Sequence, residues 1–420
     1  MSLPVLSILA FAIAIIVSCI SEINVGFLAV TLAFLVGVGF GDMRVAEVTA
    51  GFPSALFLIL TGVTLFFSQA SVNGTLDALA RRSVKLARGN VGMIPVIFFF
   101  LAAALASIGA GNIATTAMLA PVAMAVAGRI GVSGFLMTVV VCTGANSGAL
   151  SPFAPTGVIA NGLLARINIT GQEWPTYFNN LIAEGFVGLA GYFIFGGYKL
   201  FSKGSKSSEH PVDDYLTAKE EPLTWNQKLT LVLIAALLIA VSFFGIDVGM
   251  GAFIAAAILT LLRAADESAA MKVMPWGVIL MVCGVTVLIS ILERKGGMDL
   301  FTTILATFST ETSVTGVIAF VTGLISVYSS SSGVVLPAFL PTIPGLIEKI
   351  GGGDPIAIAS SINVGAHLVD VSPLSTLGAL CIANAAAGEN RRALFNKLMA
   401  WGLSMSVVGA FICWLFFGLL

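Results

Sequence analysis

Two ionisable residues, His367 and Asp370, stand three positions apart inside an apolar run that extends from 355 to 386. At that spacing they share a helix face if the helix is intact there. Ionisable groups at membrane depth are costly, and they mark functional sites by default. This pair can bind a cation, relay a proton, or let His367 meet a carboxylate. It can equally be a structural pair that holds a helix together. Histidine titrates near neutrality when unperturbed, so proton chemistry belongs among the options. Of the acidic side chains, Asp370 alone is expected well inside a span. Other polar residues collect where the apolar sequence is interrupted: Asn112, Thr115, Thr116, Asn146, Ser147, Ser151, Thr156, the run Ser329 to Ser332, and Ser375 with Thr376. Neutral hydroxyls and amides suit a small oxyanion that must be released again. Serines in membrane helices also mediate packing, so it is their location at interruptions that gives them weight.

The elements that carry these residues are membrane spans. Of 420 residues, 58% are hydrophobic and only 10% charged, with a mean hydropathy of +1.03. A soluble domain carries about 25% charged residues. At roughly 20 residues per span, the chain holds about ten helices and no soluble catalytic domain. A net charge of -1 leaves no basic face for nucleic acid. The cysteines (Cys19, Cys142, Cys283, Cys381 and Cys413) are scattered through apolar runs without a CxxC pair, and read as small core hydrophobes. The start, Met1-Ser2-Leu3-Pro4, lacks the basic flank of a signal peptide, so the first run is expected to be a retained span.

Apolar segments run at 3–20, 25–41, 53–70, 91–128, 133–165 and 180–201, then at 228–245, 249–263, 276–292, 312–346, 355–386 and 394–419. The hydrophilic stretch from Lys203 to Lys228 reads as a solvated linker between two halves. The halves repeat. Ile23-Asn24-Val25-Gly26 recurs as Ile246-Asp247-Val248-Gly249, Gly62-Val63-Thr64-Leu65 as Gly284-Val285-Thr286-Val287, and Phe52-Pro53 answers Met274-Pro275. Asp77 answers Asp299, and Gly144-Ala145 with Ser151-Pro152 answers Gly365-Ala366 with Ser372-Pro373. The shift stays between 221 and 223 residues. Collinear matches of this kind mark a duplication.

Segments 91–128 and 312–346 are too long for one span and are interrupted at Ser107 to Asn112 and at Ser329 to Gly333. Each reads as a re-entrant hairpin that enters and leaves on one side. Five spans then remain per half, an odd number, so the second half is inverted, as is common in secondary transporters. The side that receives the linker also receives all of the twenty Lys and Arg except Arg44, Arg166, Arg294, Lys295 and Lys349. That side is therefore expected to be cytoplasmic, with both termini outside. Trp174, Trp225 and Trp276 are expected at the membrane interfaces. Residues 75–88 read as an amphipathic helix on the cytoplasmic surface.

Irregular backbone at membrane depth is tolerated only where it lines a cavity or is buried in protein, so the breaks mark the site. In Ser151-Pro152 and Ser372-Pro373 the serine is expected to cap a new half-helix that opens on proline. With the hairpins, four helix N-termini would converge near the midplane and attract anions without lysine or arginine. The carbonyls left unpaired at the breaks are hard oxygen ligands for a small cation. The alternative is that these motifs only kink packed helices.

On these residues the chain resembles the ion-transporter superfamily that includes the divalent-anion:sodium symporters, and more closely the dicarboxylate carrier MatC family. In the symporters each hairpin tip carries S-N-T, then A-T and a later proline. Here the first tip reads Gly111-Asn112-Ile113-Ala114-Thr115 with Pro121, and the second Ser331-Ser332-Gly333 with Pro341. Ser151-Pro152 with Thr156, and Pro373 with Thr376, are similar to that family's T-P-x-x-T and P-x-x-T breaks. The resemblance implies one sodium at Asn112 with the backbone from Gly144 through Asn146 to Gly148, and another at Ser331 and the backbone around Ala366. Asp370 is a further candidate ligand for the coupling cation. The dicarboxylate would lie between the tips against Asn112, Ser147, Ser332, Ser375 and Thr376, with His367 as a further contact. His367 and Asp370 depart from the symporter pattern.

The expectation is thus an all-α integral membrane protein with two inverted repeats, about ten transmembrane helices and two oppositely entering hairpins. It would carry malonate or a C4-dicarboxylate across the cytoplasmic membrane, coupled to Na+, with no organic cofactor. By resemblance it is a homodimer working as an elevator. Residues 1–90 and 229–311 would be scaffold, 91–202 and 312–420 would carry substrate, and 203–228 would link them. One rival is a proton-coupled carrier or cation/proton antiporter titrating His367 and Asp370. An intramembrane hydrolase with Ser147 and His367 would need a nucleophile motif that the sequence lacks. A channel fits poorly with hairpin-closed midplane sites.

Overall fold

The computed structural model describes residues 2–21, 23–76, 78, 82, 90–202, 222–386 and 388–419. All regular structure among them is helical. The first half comprises α1 (Leu3–Ile20), α2 (Val25–Phe40), α3 (Ser54–Val72), α4 (Met93–Leu105), α5 (Gly111–Ile130), α6 (Gly134–Ala149), α7 (Pro155–Arg166) and α8 (Glu173–Ile194). The second comprises α9 (Trp225–Phe244), α10 (Val248–Leu261), α11 (Trp276–Arg294), α12 (Val314–Ser326), α13 (Ser331–Ile350), α14 (Pro355–Leu368), α15 (Thr376–Ala383) and α16 (Arg391–Leu419). Among the described residues, five helices are long and apolar enough to cross a bilayer on their own, and shorter apolar helices accompany them. Lipid-facing apolar side chains such as Ile16, Phe27, Phe243, Leu261 and Phe411 are exposed in the isolated chain. This is an integral membrane protein. Trp174, Trp225 and Trp276 all stand in the first turn of their helices and are exposed there, as interfacial aromatics are.

The two halves interlock through glycines of the repeated motifs. In α2 and α11, Gly26 and Gly284 meet so closely that a Cβ on Gly284 would lie 2.2 Å from the Gly26 carbonyl oxygen. In α3 and α10, a Cβ on Gly62 would lie 2.7 Å from the Gly249 oxygen. Gly26 corresponds to Gly249 and Gly62 to Gly284 in the repeat, so the two crossings are related by exchange of the halves. Small residues allow this backbone approach, which gives membrane helices their packing energy where no hydrophobic drive exists between them. The aligned Asn24 and Asp247 are both N-caps, of α2 and α10, accepting from the Gly26 and Met250 N–H. Within each half, α6 lies on α4 and α14 on α12. Gly144 faces the Phe99 carbonyl and Gly365 the Ala319 carbonyl, again repeat-related.

Several expectations need correction or fall outside the described residues. The sixth apolar run begins at Glu173, not at 180, because Thr176, Asn179 and Asn180 lie inside α8 rather than before it. Glu184 therefore sits mid-helix and is fully buried, so Asp370 is not the only acidic group deep in a span. Ser151 and Ser372 do not cap the second half-helices. These begin three residues later than expected, at Pro155 and Thr376, with Ala154 and Ser375 as N-caps. The amphipathic reading of 75–88 lies outside the described residues except at 75, 76, 78 and 82, as do Asp77 and the linker up to 221. From Trp225 on, that linker already belongs to α9, whose N-cap Thr224 forms a capping box with Gln227.

Candidate functional site

Both hairpins form. The first turns between α4 and α5 on Gly109 and Gly111, with φ of 124° and 73°. A side chain is strained in that region, and a Cβ on Gly109 would collide with Phe67 at 2.1 Å. The second turns at Ser329 and Ser330, where the Ser330 hydroxyl accepts from the Gly333 N–H at 3.0 Å and caps α13. The break serines tie each broken helix to its own hairpin. Ser151 Oγ donates to the Ser107 carbonyl at 2.6 Å and accepts from Phe153 N. Ser372 Oγ donates to the Val327 carbonyl at 3.2 Å and accepts from Leu374 N. Beneath each break the Ser151 or Ser372 carbonyl passes against Gly157 or Gly378.

The tips face a common cavity of about 390 Å³. It is lined by Gly111, Asn112 and Ile113 at the start of α5, by Pro155 and Thr156 at the start of α7, and by Ser332 in the first turn of α13. Thr64, Ser68 and Ser71 of α3, with Val273, Pro275 and Val278 near α11, close the other side. Neither N-cap, Ala110 of α5 or Ala154 of α7, has a capping side chain; at the α5 end the Ile113 N–H is taken by Asn112 Oδ1 at 3.0 Å and the Gly111 N–H by the Ala106 carbonyl, and α7 opens on Pro155, which has no N–H. The second half's equivalents are capped, by Ser330 and by Ser375, which accepts from Gly378 N. No charged side chain is among the described residues lining the cavity. Its positive potential comes from two uncapped helix ends, which suit carboxylates.

Around the cavity the structure joins several of the singled-out residues. Asn112 Nδ2 donates to Asn146 Oδ1 at 2.8 Å, and Asn146 Nδ2 donates to the His367 carbonyl at 2.8 Å. Asn146 aligns with His367 in the repeat, so this bond bridges equivalent points of the two broken helices. A second cluster gathers at the other tip. Ser331 Oγ lies 2.7 Å from Asp370 Oδ1, 3.1 Å from the Ala366 carbonyl and 2.6 Å from Ser326 Oγ. A hydroxyl has one proton, so Ser331 serves Asp370 or Ala366 and accepts from Ser326. Asp370 and His367 do not bond each other; His367 Nδ1 meets the Asn363 carbonyl at 2.7 Å. Ser147 Oγ turns back onto the Gly144 carbonyl, and the Gly148 carbonyl takes the Ser151 N–H. Ser375 bonds the Asp370 carbonyl, and Thr376 is exposed. Thus Asn112 and Ser332 line the cavity, and Ser147, His367, Ser375 and Thr376 do not. Among the described residues no three His, Cys, Asp or Glu side chains gather as metal ligands.

Sequence reasoning missed Glu184, Asn180 and Asn363. Glu184 is wholly buried with neither carboxylate oxygen partnered, and Asn363 has no partner for its amide. The signal was available: Thr176, Asn180 and Glu184 repeat every four residues, a polar stripe on a helix that the apolar count had started too late.

Paired re-entrant hairpins, two broken helices and a cavity between the tips define a membrane transporter built of two inverted repeats. Residues 1–149 match the model of one family, described as dicarboxylate carrier protein MatC N-terminus, in agreement with the resemblance read from the motifs. No sequence among the curated proteins matches the chain. Two solved structures share the fold over nearly its whole length. The Alcanivorax borkumensis YdaH transporter, noted for an unusual topology, is 15% identical, with 98% of this chain and 97% of that one covered and a TM-score of 0.60. MtrF of Neisseria gonorrhoeae, described with a class of antimetabolite efflux pumps, is 12% identical, with 100% and 96% covered and a TM-score of 0.58. Family match and fold are those of a carrier rather than an enzyme.

Proposed function

We propose that the protein is a secondary active transporter of a small dicarboxylate, malonate or a C4-dicarboxylate, coupled to sodium and working as a dimeric elevator. The observation that carries this reading is the cavity shared by both hairpin tips, where two uncapped helix N-termini meet neutral hydroxyls and an amide. One carboxylate would sit on the α5 end beside Asn112, the other against Ser332 and the α7 end. With no fixed cation alongside, sodium neutralises the dianion before it is occluded. Asn112 with Asn146 and the carbonyls of Gly144 and Gly148 form one candidate sodium locus; Ser331, Asp370 and the Ala366 carbonyl form the other. Helices α1–α3 and α9–α11 act as scaffold, and the hairpins and broken helices with α8 and α16 carry the substrate. Both termini lie outside and the linker lies in the cytoplasm.

The test is uptake of radiolabelled malonate and succinate into proteoliposomes under an imposed sodium or proton gradient. Sodium-driven accumulation that Asn112→Ala reduces at least tenfold supports the proposal. Accumulation driven only by protons and lost in Asp370→Asn moves coupling to the His367 and Asp370 pair. No uptake of either acid under any gradient ends the dicarboxylate reading.

A further inference from the structure

The cavity at the hairpin tips runs toward one end of the bundle. Its lining includes Ser71, in the last turn of α3, and Val273, just before α11, and both are exposed. That end is the linker side. Helix α9 starts just after the linker, and α9 and α10, joined by a short turn, bring the chain back to the same end before α11 begins.

The repeat gives each wall residue of this route an image in the other half. Pro53 answers Pro275 and Gly62 answers Gly284, a shift of 222 residues in both cases. At that shift Thr64, Ser68 and Ser71 of α3 correspond to Thr286, Ser290 and Glu293 of α11, and Val273 corresponds to Gly51. Local structure agrees: the Thr64 and Thr286 hydroxyls each donate to the carbonyl four residues back, of Leu60 and Val282, at 2.7 Å. The images gather at the opposite end of the bundle, where α3 begins and α11 finishes. They meet there, since a Cβ on Gly51 would lie 2.0 Å from Ser290 Oγ.

The two copies are in different states. Val273 is 59% exposed, whereas its image Gly51 is buried against Ser290. Thr286 and Ser290 are buried, and the Ser290 hydroxyl donates to the Val287 carbonyl at 2.8 Å. The hairpins differ in the same sense. Beyond the first tip, Ala114 and Ala117 of α5 are exposed and line the cavity; in the second, every residue from Ser331 to Leu340 is buried. Past Ser290, the exposed side chains of Glu293 and Arg166 share a small cavity of about 70 Å³ with Pro341 of the second hairpin. Opposite charges at so exposed a site attract only weakly, which suits a closure that has to part. Duplicated halves, one holding a route open and the other holding its image shut, are the arrangement from which alternating access follows when one part moves against the other.

We propose that Thr286, Ser290 and Glu293 of α11 line a second route to the tip cavity, shut in this conformation and opening on the side opposite the linker. Its inner wall offers the same neutral hydroxyls as the first, so a small dicarboxylate meets like surfaces on entry and exit. Opening frees the Ser290 hydroxyl from the Val287 carbonyl to donate to a carboxylate. The mouths differ: Glu293 stands where the first route has Ser71, and Arg166 beside it is a cation that a dianion meets there. The inference rests on the transporter reading and assigns the route that reading leaves open.

The test is labelling with a membrane-impermeant maleimide of Ser71→Cys and Ser290→Cys, each in intact cells and in inverted vesicles. Wild-type protein gives the background from the chain's own cysteines, of which Cys142, Cys283, Cys381 and Cys413 are buried. Ser71→Cys is expected to label from the linker side at rest. Ser290→Cys is expected to label from the opposite side, roughly tenfold faster when a sodium gradient with malonate or succinate is imposed, as when a minor state of ~10% becomes dominant. Labelling of Ser290→Cys that stays at background under every gradient, or that comes from the linker side, overturns the proposal. Thr286→Cys is expected to behave as Ser290→Cys does, and decides the matter should the latter fail to fold. In a second measurement, Gly51→Cys joined to Ser290→Cys by mild copper-catalysed oxidation is expected to stop transport, and reduction to restore it. Transport that continues after complete cross-linking overturns the proposal as well. Should wild-type protein carry neither acid while Ser290→Cys responds to sodium from the expected side, the dicarboxylate reading fails and the second route stands.

Discussion

Asp370 shows how a single side chain can be read correctly as important and incompletely as to its company. Its position in an apolar run marked it, but its hydrogen-bond partner is Ser331 on the hairpin of its own half, not the nearby His367. The break after Leu368 redirects the chain, so the three-residue spacing no longer sets a common face. Removing the hydroxyl leaves a buried carboxylate short of a donor, which costs about 1–3 kcal/mol. Ser331→Ala is accordingly expected to lower the thermal unfolding midpoint of detergent-purified protein, and Ser331→Thr, which keeps a hydroxyl, to lower it less. Equal midpoints for wild type and alanine variant would sink this account. Asn112, Asn146 and Ser331 were legible because polar residues at interruptions of apolar sequence stand out. Glu184 was not, because its polar neighbours blurred the edge of a span into a loop.

At the scale of elements, helices and hairpins were legible and their ends were not. Hydropathy marks a span, and Gly or Ser runs mark a break, but which residue caps the new half-helix depends on a carbonyl three residues back. The serine of Ser-Pro turned out to hold the hairpin, while Ala154 and Ser375 take the cap positions. This geometry depends on Gly157 and Gly378, where a Cβ would lie 2.0 Å from the Ser151 oxygen and 2.1 Å from the Ser372 oxygen. Backbone must move to admit a methyl group there, at about 1–3 kcal/mol. Gly378→Ala is expected to reduce both transport and thermal stability, whereas Gly39→Ala, which meets nothing within 4 Å, leaves both unchanged. Matched unfolding curves for the two variants would contradict the assigned role of Gly378.

For the molecule as a whole, the duplication read from five short matches accounts for how the halves meet. Two of those matches contain the glycines of the crossings between α2 and α11 and between α3 and α10. Sequence could show that the motifs recur but not that each is met by the other's partner, since that is a fact of the pseudo-twofold arrangement. Gly284→Val would push a branched side chain into the α2 backbone. The expected outcome is loss of the monodisperse peak in size-exclusion chromatography, with Gly249→Val behaving alike because it sits at the related crossing. A well-behaved Gly284→Val protein would show that this crossing is dispensable.

The same crossings have a consequence for biosynthesis. Gly26 and Gly62 leave the ribosome long before Gly284 and Gly249, the residues they abut. At about 5–20 residues per second, the wait is on the order of tens of seconds. During it, the notched faces of α2 and α3 have only lipid or the insertion machinery against them. The first half is thus an unfinished surface by design of its own sequence, and the order of synthesis makes the second half the one that completes it.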